Sequence, residues 1–188
     1  MVLIVFDTAR ADAFEPYGAP KGSTPTVTQL AQAGHAVPYA VATFSGEVPD
    51  FEASLVDGQL KGVARIASIQ VKEENLQAHL LSPEFFDVQR FPRLRFTSTE
   101  LSVGEDGTAR VAGDLEIRGE GRKVEADGRF AHLGEDAYGK ARVGLSFSAT
   151  VDRRDFGLDW QAELPSGGEV LDYAVTISVE LELDGGEA

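Results

Sequence analysis

His35, His79 and His132 are the residues best suited to acid–base or metal chemistry, and their spacing supports neither. They stand far apart, with no His-x-His or His-Glu-x-x-His pattern to bring two imidazoles onto one ion. The chain has no cysteine, which excludes a thiolate nucleophile, a thiolate metal site and a disulfide. No Gly-x-Ser-x-Gly elbow presents a serine. Gly119-Glu120-Gly121 lies between two alternating segments instead of ahead of a helix, so it is a turn and no phosphate cradle. The acid pairs Glu73-Glu74 and Glu105-Asp106 fall at loops, without the apolar flanks that would drive their pKa values apart. Asp155-Phe156-Gly157 follows a strand with no kinase companions and reads as a turn, Gly157 supplying positive φ while Phe156 packs inward. The residues predict no catalytic group, no metal and no cofactor.

Apolar side chains carry more information. Leu94 and Phe96, Val111 and Leu115, Leu145 and Phe147, and Val179 and Leu181 each recur at period two or its multiple, on one face of a strand. Such faces make either a filled core or the wall of a ligand cavity, and the alternation is the same for both. The small residues Ala109, Gly113 and Ala149 on these faces leave volume unfilled. Asn75 to Thr99 is different in kind. It opens as a short helix with Asn75 as cap and Leu76, His79 and Leu80 at helical spacing, breaks at Ser82-Pro83, exposes Phe85-Phe86 and turns at Phe91-Pro92 into a strand. A lone helix with a greasy tip among strands predicts a plug or lid, with Phe85, Phe86 and His79 among the ligand-binding residues. His79 is otherwise a packed histidine capping local backbone.

These residues need a frame of strands. Phe51 to Val56 leads through Asp57-Gly58, a hairpin signal, into Gln59 to Val71. Leu94 to Val103, Ala109 to Arg118, Lys123 to Phe130, Arg142 to Asp152 and Glu169 to Leu183 follow, most of them joined by turn residues. Trp160 and the loop Pro165 to Gly168 border one mouth. The fold class is mainly β: an up-and-down antiparallel lipocalin-like barrel with one short helix insert at Asn75 to Leu81. Residues 1–43 read instead as a short α/β-like segment. Val2 to Phe6 form a buried strand, Pro16 to Gly22 a loop, and Thr24 caps a helix to Ala33 that has Pro25 at its first position and Gly34 as stop. His35 to Gly46 is expected to serve as the first strand of the barrel, and Val2 to Phe6 to add to a sheet edge or to a second subunit, giving a homodimer.

Thirty-one acidic residues against 17 basic ones give a formal charge of −14, which repels a phosphate backbone or an anionic membrane surface. Nucleic acid is not an expected partner. No stretch approaches the ~20 apolar residues of a transmembrane helix, and the apolar run Val2 to Phe6 lacks the basic flank and length of a signal peptide. A cytoplasmic location is the expectation.

Four separated motifs resemble the YceI-like family of lipid-binding barrels. They are Phe51-Glu52-Ala53-Ser54-Leu55, the run from His79-Leu80 through Phe85-Phe86-Asp87 to Phe96-Thr97-Ser98-Thr99, Gly113-Asp114-Leu115-Glu116-Ile117-Arg118-Gly119, and Asp152-Arg153-Arg154-Asp155-Phe156-Gly157-Leu158. The chain departs from that family at Leu76-Gln77-Ala78 and Gly119-Glu120-Gly121, and the family's opening strand is absent or compressed into His35 to Val41. The resemblance implies a domain over residues 44–188 whose tunnel holds a long polyisoprenoid or similar chain, for transport or storage. Residues 1–43 resemble the opening of a sulfatase of the alkaline-phosphatase-like superfamily, in which the acid at Asp7 helps bind a divalent cation. This implies a chimera in which 1–43 is no independent domain. The matching nucleophile and downstream ligands have no counterpart, so a metal-dependent sulfate or phosphate ester hydrolase is the weaker alternative, beside an interaction scaffold with a filled core.

Overall fold

The computed structural model describes residues 2–9, 42–71, 74–162 and 171–184, with backbone alone for 2–9 and 42–46. The expected helix to Ala33, the loop Pro16 to Gly22, His35 to Val41, Glu73 and Pro165 to Gly168 lie outside the described residues. Among the described residues the strands are β1 (Val2–Ala9), β2 (Ala42–Glu47), β3 (Phe51–Val56), β4 (Gln59–Arg65), β5 (Arg93–Val103), β6 (Thr108–Ile117), β7 (Glu120–Glu135), β8 (Ala141–Asp152) and β9 (Ala174–Asp184). One helix, α1 (Glu74–Leu81), interrupts them, with 3-10 turns at Ile66–Ser68 and Arg153–Phe156.

The nine strands make one antiparallel sheet in the order β2-β1-β9-β8-β7-β6-β5-β4-β3. Seven of them, β3 to β9, curl into a half-barrel of the lipocalin-like kind, and β3 comes back toward β9 with no ladder between the two. Alternation explains the curl. β6 buries Ala109, Val111, Gly113, Leu115 and Ile117 in strict succession, so the apolar face must wrap inward. Tight turns fix the register: Asp57 and Gly58 both have positive φ, and so do Arg118 and Gly119, as two-residue hairpins require. The latter turn is centred one residue earlier than Gly119-Glu120-Gly121, because Ile117 pairs with Glu120.

The N-terminal segment joins the sheet differently from expectation. β1 pairs with β9 from Val2↔Val179 to Val5↔Thr176, and β2 pairs with β1 on its far side. β1, with Val2 to Phe6, therefore adds to the edge of β9 as expected, and Ala42–Glu47 becomes the outermost strand instead of the first strand of the barrel. The strand expected over Gln59 to Val71 ends at Arg65, where the chain bends into its 3-10 turn.

Candidate functional site

Two packed clusters lie toward the two ends of the half-barrel. At the helix end, Leu80, Phe85 and Phe86 pack with Ile66, Ile69, Leu115, Ile117, Phe156 and Leu158. At the far end, Leu60, Ala109, Val111, Leu145 and Phe147 pack with Leu101, Phe130 and Leu183. Between them lies a cavity with about 770 Å³ of empty volume, its opening to solvent included.

All seven strands of the half-barrel line it. β3 contributes Phe51 and Ala53, β4 Leu60, Lys61, Gly62 and Ala64, and β5 Leu94 and Phe96. β6 adds Val111 and Leu115, β7 Val124 and Ala126, β8 Phe147 and Ala149, and β9 Ile177, Val179 and Leu181. Lys61, exposed on β4, is the one polar residue of the described lining. The described wall offers shape and apolar contact and, Lys61 apart, no polar side chain.

The structure brings seven sequence-predicted residues together here: Leu94, Phe96, Val111, Leu115, Phe147, Val179 and Leu181. Leu145 instead sits in the far cluster. Phe86 lines a second, smaller cavity with about 340 Å³ of empty volume, which shares Leu94 and Ile177 with the first.

Phe85 and Phe86 correct the expectation of an exposed tip. They are 3% and 4% exposed, because the chain after α1 folds back under the helix. The Phe85 amide donates to the Ser82 carbonyl and the Phe86 amide to that of Leu80, and the rings meet edge to face at 5.2 Å. A pair of aromatic rings is worth several kcal/mol when buried, which outweighs the turn's loop-like sequence. His79 packs edge-on against Trp160 at 4.4 Å and Phe85 at 6.0 Å, with Nε2 3.8 Å from the Glu84 carboxylate. It braces the plug and stands outside both cavity walls.

Sequence reasoning missed the two arginines that fasten this end. Arg153 is 3% exposed; its guanidinium donates to the carbonyls of Asp172 (3.0 Å), Trp160 (2.8 Å) and Leu158, and it lines the smaller cavity. Arg118 donates to the carbonyls of Gly157 and Pro83, tying the β6–β7 turn to the chain behind α1. Their signal was present, since both fall inside the quoted motifs. Gly157 has φ 67° and Phe156 is 1% exposed, as the Asp155-Phe156-Gly157 turn requires. Asp152 caps the 3-10 turn by accepting from the Arg154 amide and guanidinium, which holds its carboxyl below the usual carboxylate range. Among the described residues no three His, Asp or Glu side chains group as metal ligands, and no helix is long and apolar enough to cross a membrane.

Comparison with known proteins agrees with this geometry. The YceI-like domain family matches residues 21–183, reaching further toward the N-terminus than the motifs do. A UPF0312 protein of Pseudomonas savastanoi pv. phaseolicola is 31% identical over 116 residues, 62% of this chain and 58% of that protein. The chain thus spans under two thirds of the length of this curated relative. The YCEI protein of Campylobacter jejuni shares the fold at a TM-score of 0.68, with 19% identity over 79% of this chain and 89% of that one. A polyisoprenoid binding domain from Saccharophagus degradans has a TM-score of 0.65 at 11% identity, over 98% and 94% of the two chains. With the family's match running over most of its length and its fold shared, the chain belongs to the YceI-like domain family.

Proposed function

We propose that the protein binds a long-chain apolar ligand, such as an isoprenoid lipid or quinone, inside the half-barrel without catalysis, and so stores or carries it. The observation that carries this reading is the cavity between two packed ends, lined by apolar residues with the single exception of Lys61 among those described. Burial of one methylene contributes ~0.8 kcal/mol, so a prenyl chain needs no charged anchor to be held there. The name of the Saccharophagus neighbour, a polyisoprenoid binding domain, supports the same ligand class. A formal charge of −14 is compatible with an uncharged apolar guest and unsuited to a polyanion. The binding unit in this reading is residues 44–188.

Organic extraction of the purified protein followed by mass spectrometry tests the proposal. A co-purifying chain of isoprenoid or quinone type in near-stoichiometric amount is the expected result. Protein that is reproducibly free of such chains, and that takes up none when exposed to them, overturns it.

A further inference from the structure

The described wall of the cavity carries three large aromatic residues. Phe51, Phe96 and Phe147 all face inward, and each ring lies against a glycine of the neighbouring strand. A Cβ on Gly62 would come 2.9 Å from Cζ of Phe51, one on Gly113 2.7 Å from Cζ of Phe96, and one on Gly128 2.8 Å from Cδ1 of Phe147. These distances are shorter than side chains tolerate, so each glycine is a notch in which a ring is parked. The notches fall on alternate strand pairs: β3 with β4, β5 with β6, and β7 with β8.

We propose, on the footing of the ligand reading above, that these Phe–Gly notches set the bore of the cavity and that Phe51 on Gly62 selects the cross-section of the chain admitted. Gly62 is singled out by its surroundings. A side chain at Gly113 or Gly128 would also strike backbone, at Thr97 and Ser146, whereas at Gly62 the close neighbours are atoms of the Phe51 ring alone. β3 is an edge strand with no ladder on its outer side and Phe51 is half-buried, so this ring has room to leave its notch. Gly62 and Phe51 both line the cavity, so a displaced ring takes up the volume a methyl branch would need.

The test compares a methyl-branched isoprenoid alcohol with a linear alcohol of the same carbon count, each competing against a fluorescent alkyl probe. Gly62→Ala should weaken the branched chain by about fourfold per methylene displaced, since ~0.8 kcal/mol accompanies each buried CH₂, and the linear chain less. Phe51→Ala should shift preference toward the branched chain. Adding Gly62→Ala to Phe51→Ala should change nothing further, because the ring it displaces is gone. An equal loss from Gly62→Ala with and without Phe51, or an unaltered branched-to-linear ratio in every variant, overturns the selector while leaving the ligand reading intact. Wild-type protein that binds neither alcohol removes both. If Gly62→Ala does not fold, Phe51→Leu serves in its place, freeing the notch with a smaller apolar side chain. It is expected to favour the branched chain, and an unchanged ratio counts against the selector.

Discussion

Arg153 shows how this half-barrel keeps a charge inside. Its guanidinium is held by backbone carbonyls from Leu158, Trp160 and Asp172 and lies over the Tyr173 ring at 4.7 Å. Replacing it with Met leaves those carbonyls without their donor, at a cost of about 1–3 kcal/mol for a buried group of this kind. Arg153→Met should lower the stability read from urea denaturation by on the order of 3 kcal/mol, and an unchanged midpoint would show that the carbonyls find other partners. Asp152 is held below its ordinary pKa by Arg154, so its contribution is present above the unfolded value near ~3.9 and fades as pH falls through the lower folded value. Asp152→Asn should therefore be less stable than the parent at neutral pH by up to about 1 kcal/mol, the pair being partly exposed, with the gap closing in acid. Denaturation curves at neutral and strongly acidic pH check both parts.

Strands were legible because burial alternates with the pleat: the β8 face Val143, Leu145, Phe147, Ala149 and Val151 could be read directly. What was hidden is irregular. The register of β5 against β6 shifts between Ser98 and Glu100, and no sequence period marks that bulge. Ser98 is 2% exposed and its hydroxyl accepts from the Leu60 amide at 2.8 Å, supplying an acceptor where the β4–β5 ladder stops. Ser98→Ala should cost about 1–3 kcal/mol by orphaning that amide, and hydrogen exchange at Leu60 should accelerate correspondingly. Seven of the 17 described wall residues, all on β5, β6, β8 and β9, are legible for the same reason as the strands. Ile177 shares the parity of Val179 and Leu181 on β9, Ala53 and Ala126 lie on β3 and β7, where the pattern singles out no residue, and the burial of Phe85-Phe86 depends on the cluster they share with Ile66 and Phe156, far away in sequence.

At the scale of the molecule, β1 has a role that composition could not assign. It covers β9 over Thr176 to Val179, and an uncovered edge of apolar strand invites pairing between molecules. Deleting residues 1–41 removes β1 and strands β2, so size-exclusion chromatography should show concentration-dependent association. A monomer of undiminished stability would show that β1 protects nothing. The central claim is that the space between the two packed ends is a ligand site. Ala126 and Ala149 line it from the neighbouring strands β7 and β8 and are not among the buried residues of either end cluster, although Ala126 packs against the far one, and enlarging both to Leu fills the cavity from that wall. The most direct measurement is titration of parent and Ala126→Leu/Ala149→Leu proteins with a fluorescent alkyl probe, beside a thermal melt of each. The account predicts one equivalent bound by the parent and at least about tenfold weaker binding by the filled variant, consistent with ~0.8 kcal/mol per methylene excluded, at a similar melting temperature. Equal binding by both, or none by the parent, would contradict it.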